Sequence, residues 1–196
     1  MNIVAIDFEA SCLPRHGRSF PIEVGIADDG RSSRAWLIRP HADWAGWTWT
    51  ATAEAVHGIS LDRLYREGLP AGIVAAELAE AIGGRRLVAD SLLDGDWLET
   101  LMRAGGMSTP PIAHVSEVFE ELGAYDMDIA AAQAALASRP FLRHRAGEDA
   151  RWLSAMIAEV DACVRQREWK ASAPVFAWEA PARVVVRGAF TLPCPS

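Results

Sequence analysis

Residues 3–9, IVAIDFE, are rich in branched apolar side chains and read as a β-strand. Strand side chains alternate between faces, so Asp7 and Glu9 project from one side while Val4, Ile6 and Phe8 face the other. Two carboxylates side by side within a sheet repel each other and are costly to desolvate. A bound cation removes both problems. A strand end at solvent would also tolerate the pair, and short acidic motifs arise often by chance.

Working outward, residues 22–27 (IEVGIA) and 34–39 (RAWLIR) read as two further strands, separated by a polar turn at Asp28–Ser33. The Trp-rich stretch His41–Trp49 reads as a loop leading into a short helix near Ala51–His57, which Gly58 ends. Helical spacing over 71–82 stops at Gly83–Gly84. Residues 86–90 (RLVAD) are expected to form a buried strand, followed by a helix over 94–104 and a last short strand at Ile112–Val115. Helices are expected over 126–137 and 148–168. From Ala173 the chain is Pro-rich, with one strand-like run at Arg183–Ala189. This order predicts one α/β domain over 1–170, with a tail over 171–196 that packs on the domain or on a partner subunit.

The 196 residues suffice for one domain with a hydrophobic core, and the composition, 51% hydrophobic and 23% charged, is that of a soluble globule. No apolar run approaches the ~18–20 residues of a membrane span, so no membrane partner is expected. The first strand starts at once, without the basic-then-apolar pattern of a leader. Cys12, Cys163 and Cys194 are scattered and odd in number, which suits a reducing, cytoplasmic setting; Cys12 is expected to be inert. The net charge of −7 argues against a broad basic face for gripping duplex DNA. It leaves room for an enzyme whose bound cations meet a phosphate. Lys170 is the only lysine, so the basic residues are forked arginines suited to phosphate, although genome composition has the same effect.

Two other stretches concentrate chemistry. His144 to Asp149 (HRAGED) runs into an amphipathic helix. Residues five apart on a helix differ by roughly 140° in direction, so His144 and Asp149 meet at one site only if His144 lies in the preceding loop. Pro140 and Gly147 fit such a loop, and Asp149 would then lie in the first turn, where the helix dipole favours it. A solvated helix N-terminus explains the same residues without chemistry. Residues 87–98 (LVADSLLDGDWL) place Asp90, Asp94 and Asp96 after a buried strand, at the sheet's carboxyl end. N-capping would account for any one of the three.

D-F-E on the first strand, an Asp beside G-x-W-L, and H-x4-D on a late helix follow the order of the DEDDh 3′–5′ exonucleases. That superfamily includes proofreading exonucleases, ribonuclease T and oligoribonucleases. P-I-E-V-G-I-A (21–27) is similar to its second strand and A-E-A-V-H-G-I (53–59) to its helix ending in H-G-I. The resemblance spans about residues 3–160. It implies an RNase H-like central mixed sheet of about five strands flanked by helices. It also implies Asp7, Glu9, Asp94 and Asp149 as metal-binding acids and His144 as general base, with His57, Gly58 and Phe8 near the terminal nucleotide. D-G-D-W-L (94–98) resembles the family's D-G-x-W-L, which favours Asp94 over its rival Asp96. The family's H-N-x-x-F-D version is absent: Asp90 and Ser91 stand near its polar pair and Leu93 replaces its aromatic.

The implied activity is hydrolysis at the 3′ end of single-stranded DNA or RNA, with two Mg²⁺ or Mn²⁺ ions. Two cations roughly 3.5–4 Å apart would lower the pKa of an attacking water and stabilise the departing 3′ oxygen. Hard cations prefer carboxylate oxygen to the Cys and His that suit zinc. On this resemblance Asp7 bridges the ions, Glu9 and Asp149 serve the nucleophile side and Asp94 the other. An imidazole such as His144 suits proton removal near neutral pH. Trp44, Trp47 and Trp49 would stack on bases if exposed, or fill a core or a homodimer contact. Arg85, Arg86, Arg143 and Arg145 would reach phosphates or lie at solvated surface. Two rivals remain: a non-catalytic nucleic-acid-binding or assembly module of the same fold, and an endonuclease or strand transferase of RNase H-like fold.

Overall fold

The computed structural model describes residues 2–172; the expected tail from Ala173 on, including the strand-like run Arg183–Ala189, lies outside the described residues. Three strands, β1 (Ile3–Ala10), β2 (Pro21–Ala27) and β3 (Arg34–Arg39), form an antiparallel meander. Helices α1 (Ala51–His57) and α2 (Leu61–Glu67) follow, then a two-residue strand β4 (Leu69–Pro70) parallel to β3. Next come α3 (Ala71–Ile82), β5 (Arg86–Ala89), α4 (Leu93–Ala104) and β6 (Ile112–His114). Helices α5 (Val115–Glu121), α6 (Asp126–Leu136) and α7 (Ala146–Ser172) complete the described chain. Among the described residues the sheet has six strands in the order β4-β3-β2-β1-β5-β6, with β5 parallel to both β1 and β6. The sixth strand, beyond the five expected, is β4.

Period-2 patterning separates the two faces of β1. Val4, Ile6, Phe8 and Ala10 enter the larger core with Ile22 and Val24 of β2, Val74 and Leu78 of α3, and Leu98, Leu101 and Met102 of α4. Ala5 faces the other way, with Val88, Val115, Val118, Leu153 and Ile157. Asp7 and Glu9 therefore belong to the face that α7 covers. Helix α6 packs on the outside of α7 through Ala132, Leu136, Met156 and Val160.

Helices α2 and α5 were not expected, and their caps explain why they form despite their length. The Ser60 hydroxyl accepts the Arg63 N–H (3.2 Å). At α5 the His114 ring accepts the Ser116 N–H, and Glu117 accepts the His114 N–H, a reciprocal cap. Helix α7 begins two residues earlier than its apolar pattern suggests. Gly25 makes that start possible. A Cβ there would lie 2.2 Å from the Ala146 carbonyl carbon and 2.3 Å from the Gly147 nitrogen, so only glycine lets the first turn rest on the sheet.

Candidate metal centre

Strand β1 pairs with β5 only over its first half and with β2 from Ala5 onward. Ile3, Val4 and Ala5 match Arg86, Leu87 and Val88 of β5, whereas Asp7 and Glu9 continue beyond that pairing, opposite Gly25 and Glu23 of β2. The register shifts between Glu9 and Ala10, a bulge of the kind that re-aims side chains beside active sites. Because β1 and β5 run parallel, the residues after Ala89 arrive at the same end of the sheet. One carboxylate oxygen from each of Asp7, Asp90 and Asp94 lies within 4.8 Å of the others. Asp94, in the first turn of α4, is only 1% exposed, and its Oδ2 has no hydrogen-bond partner. The backbone N–H of Phe8, on the stretch of β1 beyond β5, lies beside its carboxylate and favours the ionised form.

The N-terminus of α7 supplies a second group. One ligand atom from each of Glu9, His144 and Asp149 lies within 4.8 Å of the other two. His144 precedes the helix with φ 63°, a left-handed conformation uncommon for a side-chain-bearing residue. Asp149 holds it there by accepting the His144 N–H (2.7 Å) and the Arg145 N–H (3.3 Å) on Oδ2. Arg143 Nε stands 3.2 Å from Asp149 Oδ1 without hydrogen-bond alignment, so that buried oxygen has charge beside it but no hydrogen bond. Beneath this turn Glu23, 1% exposed, accepts Arg145 through both its oxygens (3.1 and 2.5 Å) and the Ala146 N–H (3.0 Å). The start of α7 is thereby tied to β2.

Burial and mutual repulsion act together on these acids. Asp7 is pushed up to about 10, first by desolvation and then by the charges of Asp94, Glu9, Asp149 and Asp90. Glu9 rises to about 8 through burial, Asp149 and Glu23, with Arg145 and Arg143 opposing. Asp94 rises to about 8 through burial and Asp90, against the Phe8 N–H. The group is short of positive charge, and a cation would return all three to their ionised form. Hard oxygen donors, two of them buried and without hydrogen bonds, fit Mg²⁺ or Mn²⁺.

Beside Glu9 and His144 opens a cleft of about 400 Å³, bordered also by Phe8, Val56, His57 and Trp97. His57 Nδ1 accepts the Ile59 N–H (3.0 Å), which leaves the proton on Nε2, a buried donor without a partner. Burial lowers the pKa of this imidazole and keeps it neutral. Gly58 does not border the cleft; it closes α1 in the left-handed conformation (φ 69°). Asp96 is exposed and belongs to neither acidic group. Trp44 is buried and stacks on Phe20, and Trp47 and Trp49, partly buried, pack against the same core. Arg85 pairs with Asp28, and Arg86 with Glu117 and Glu121; Arg145 is taken by Glu23. Sequence reading missed Glu23 and Gly25. Their signal was present, because Glu23 is a lone carboxylate in an apolar strand and Gly25 a glycine inside one.

No family model and no curated protein matches this chain. Solved structures share its fold. A full-length 3′-exonuclease superposes with a TM-score of 0.60 at 16% identity, covering 85% of this chain and 60% of its own. Escherichia coli exonuclease I in complex with a dT13 oligonucleotide gives 0.56 at 11%, covering 86% and 42%. Schizosaccharomyces pombe Pop2p, in its Mg²⁺- and Mn²⁺-bound form, gives 0.56 at 14%, covering 88% and 86%. The chain thus spans 60% or less of the first two structures' length. The likeness establishes an RNase H-like mixed α/β fold of the kind found in exonucleases. No helix among the described residues is long and apolar enough to cross a membrane.

Proposed function

We propose that this chain is a metal-dependent 3′–5′ exonuclease that hydrolyses phosphodiester bonds at the 3′ end of single-stranded DNA or RNA, with His144 as general base. One observation carries the reading: acids from β1, the β5–α4 turn and α7 meet at one end of the sheet and leave buried oxygens of Asp94 and Asp149 without hydrogen bonds. When bound, two divalent cations supply the Lewis acidity that lowers the pKa of an attacking water and stabilises a departing alkoxide. The family resemblance and the fold shared with exonucleases support nucleic acid as the substrate.

Within this reading each residue has a task. Asp7, Glu9, Asp94 and Asp149 hold the cations. A ring nitrogen of His144, beside Glu9 and Asp149, takes the proton from the water. The cleft receives the terminal nucleotide, with Phe8 at its floor, and His57 Nε2–H donates to an acceptor on that nucleotide. Glu23 and Arg145 act through α7, as positioning residues.

The test is incubation of 5′-labelled single-stranded DNA and RNA oligomers with Mg²⁺ or Mn²⁺, comparing wild type with Asp7→Ala. A ladder that shortens stepwise from the 3′ end, lost in the variant, is expected. Internal cuts would point to an endonuclease. An inert wild type with no Mn²⁺ affinity would leave a binding module of the same fold.

A further inference from the structure

We propose that Asp90 is a direct ligand of one of the two cations, so that this ion is held by three carboxylates of the chain, Asp7, Asp90 and Asp94, before any nucleic acid arrives. The proposal rests on the metal-dependent reading above and adds to it a fifth acid that the resemblance does not supply.

Backbone anchoring comes first. Asp90 follows directly on β5, whose last residue, Ala89, pairs with His114 of β6. The Asp90 carbonyl is bonded to His114 Nε2 (3.0 Å), and His114 Nδ1 meets the Ser116 hydroxyl (2.8 Å). Asp7 is fixed by the β1–β2 ladder and Asp94 by the first turn of α4. Three rigid elements therefore aim three carboxylate oxygens into a space 4.8 Å across. Asp90 is exposed, so its side chain had solvent available and yet stands among two other acids.

The buried side of this group is built for a ligand. Asp94 is 1% exposed and its Oδ2 lacks any partner, the situation that costs most for a carboxylate. No arginine or lysine among the described residues pairs with any of the three. The nearby arginines, Arg143 and Arg145, serve Asp149 and Glu23. Three carboxylate oxygens on one side of a hard cation leave up to three positions to water, which matches the partly hydrated octahedron that Mg²⁺ prefers. Asp90 is on the exposed side of the group, so positions left open there would be accessible to phosphate oxygens.

Mn²⁺ titration of the substrate-free protein, read by calorimetry and by the paramagnetic resonance of unbound ion, tests this. Wild type is expected to bind two ions. Asp90→Asn should weaken one of them by about tenfold or more while the other is unchanged. Asp96→Asn, at an exposed acid in the first turn of α4 outside both groups, should bind both ions as wild type does. Equal weakening by Asp96→Asn would reduce the effect to surface charge and overturn the proposal. So would wild-type binding by Asp90→Asn, or a wild type that takes up only one ion without nucleic acid. If Asp7→Asn loses Mn²⁺ while Asp90→Asn does not, the metal reading stands and this proposal falls. If wild type binds none, both fall. Melting in chelator controls for folding: Asp90→Asn, relieved of a like charge, should melt no lower than wild type.

Discussion

The two acidic groups at the end of β1 are neighbours with different electrostatic support. Glu9 and Asp149 have Arg143, Arg145, His144 and the His144 and Arg145 N–H groups just ahead of α7 around them. Asp7, Asp90 and Asp94 have a single backbone N–H, from Phe8, and otherwise each other. The consequence is clearest at Asp7, which, buried among acids, is pushed up to about 10, while Glu9, with two arginines opposing, and Asp94, with the Phe8 N–H opposing, each rise to about 8. A helix terminus can compensate part of a carboxylate cluster from within the protein. A strand-to-helix turn offers fewer such donors, and on the proposed reading the group it builds relies on an external cation.

The sharpest way to break this contrast is to remove one member of each group. Asp7→Asn should abolish both Mn²⁺ uptake and nuclease activity, measured by calorimetry and by end-labelled laddering. His144→Ala should lower turnover by ~10²–10⁴ while Mn²⁺ binding largely survives. Near-normal turnover would remove His144 from the mechanism. Arg145→Met should act more weakly and indirectly. It leaves Glu23 buried with only the Ala146 N–H, costs on the order of 3 kcal/mol of stability in a denaturant melt, and lowers activity through a displaced α7. Full stability in that variant would mean that the Glu23 clamp does not hold the helix.

The smallest effect is a pH trend in chelator. Asp7, Glu9 and Asp94 have folded-state values of about 10, about 8 and about 8, above the ordinary carboxyl range near ~4. The folded chain therefore binds more protons than the unfolded one across that interval. Stability contributed by these groups is complete below the ordinary range and is lost as pH rises through the folded values. The melting temperature in chelator should fall between pH 5 and pH 9, by less in Asp7→Asn, and Mn²⁺ should flatten the trend. A melting temperature that rises over that window would contradict the assignment of burial and repulsion to these acids.

Much of the fold was legible because its elements carry strong local signals. The alternation in IVAIDFE fixed which face Asp7 and Glu9 share, and Gly58 and Gly83 marked helix ends that the structure has in the left-handed conformation. The short helices α2 and α5 escaped although Ser60 and the His114–Glu117 cap announced both starts; α1, equally short, was read because the family-like A-E-A-V-H-G-I stretch and Gly58 marked it. The site was legible as a set of residue types and only partly as a geometry. Residues after Ala89 offered three aspartates, and nothing local to them says that β5 ends early enough to bring Asp90 beside Asp7. Nor does HRAGED reveal that Arg145 turns inward to Glu23, since that contact spans 122 residues of sequence.

Gly25 sits across the ladder from Asp7, and the first turn of α7 lies on it. Donors for the proposed ions therefore travel on separate bodies: Asp7, Glu9 and Asp90 with the sheet, Asp94 with α4 beside it, and Asp149 and His144 with the start of α7. The gap between the sheet and α7 is set by a hydrogen atom where any other residue has a carbon. A methyl group at this rung would act as a spacer, parting the two halves of the cage without touching a single ligand.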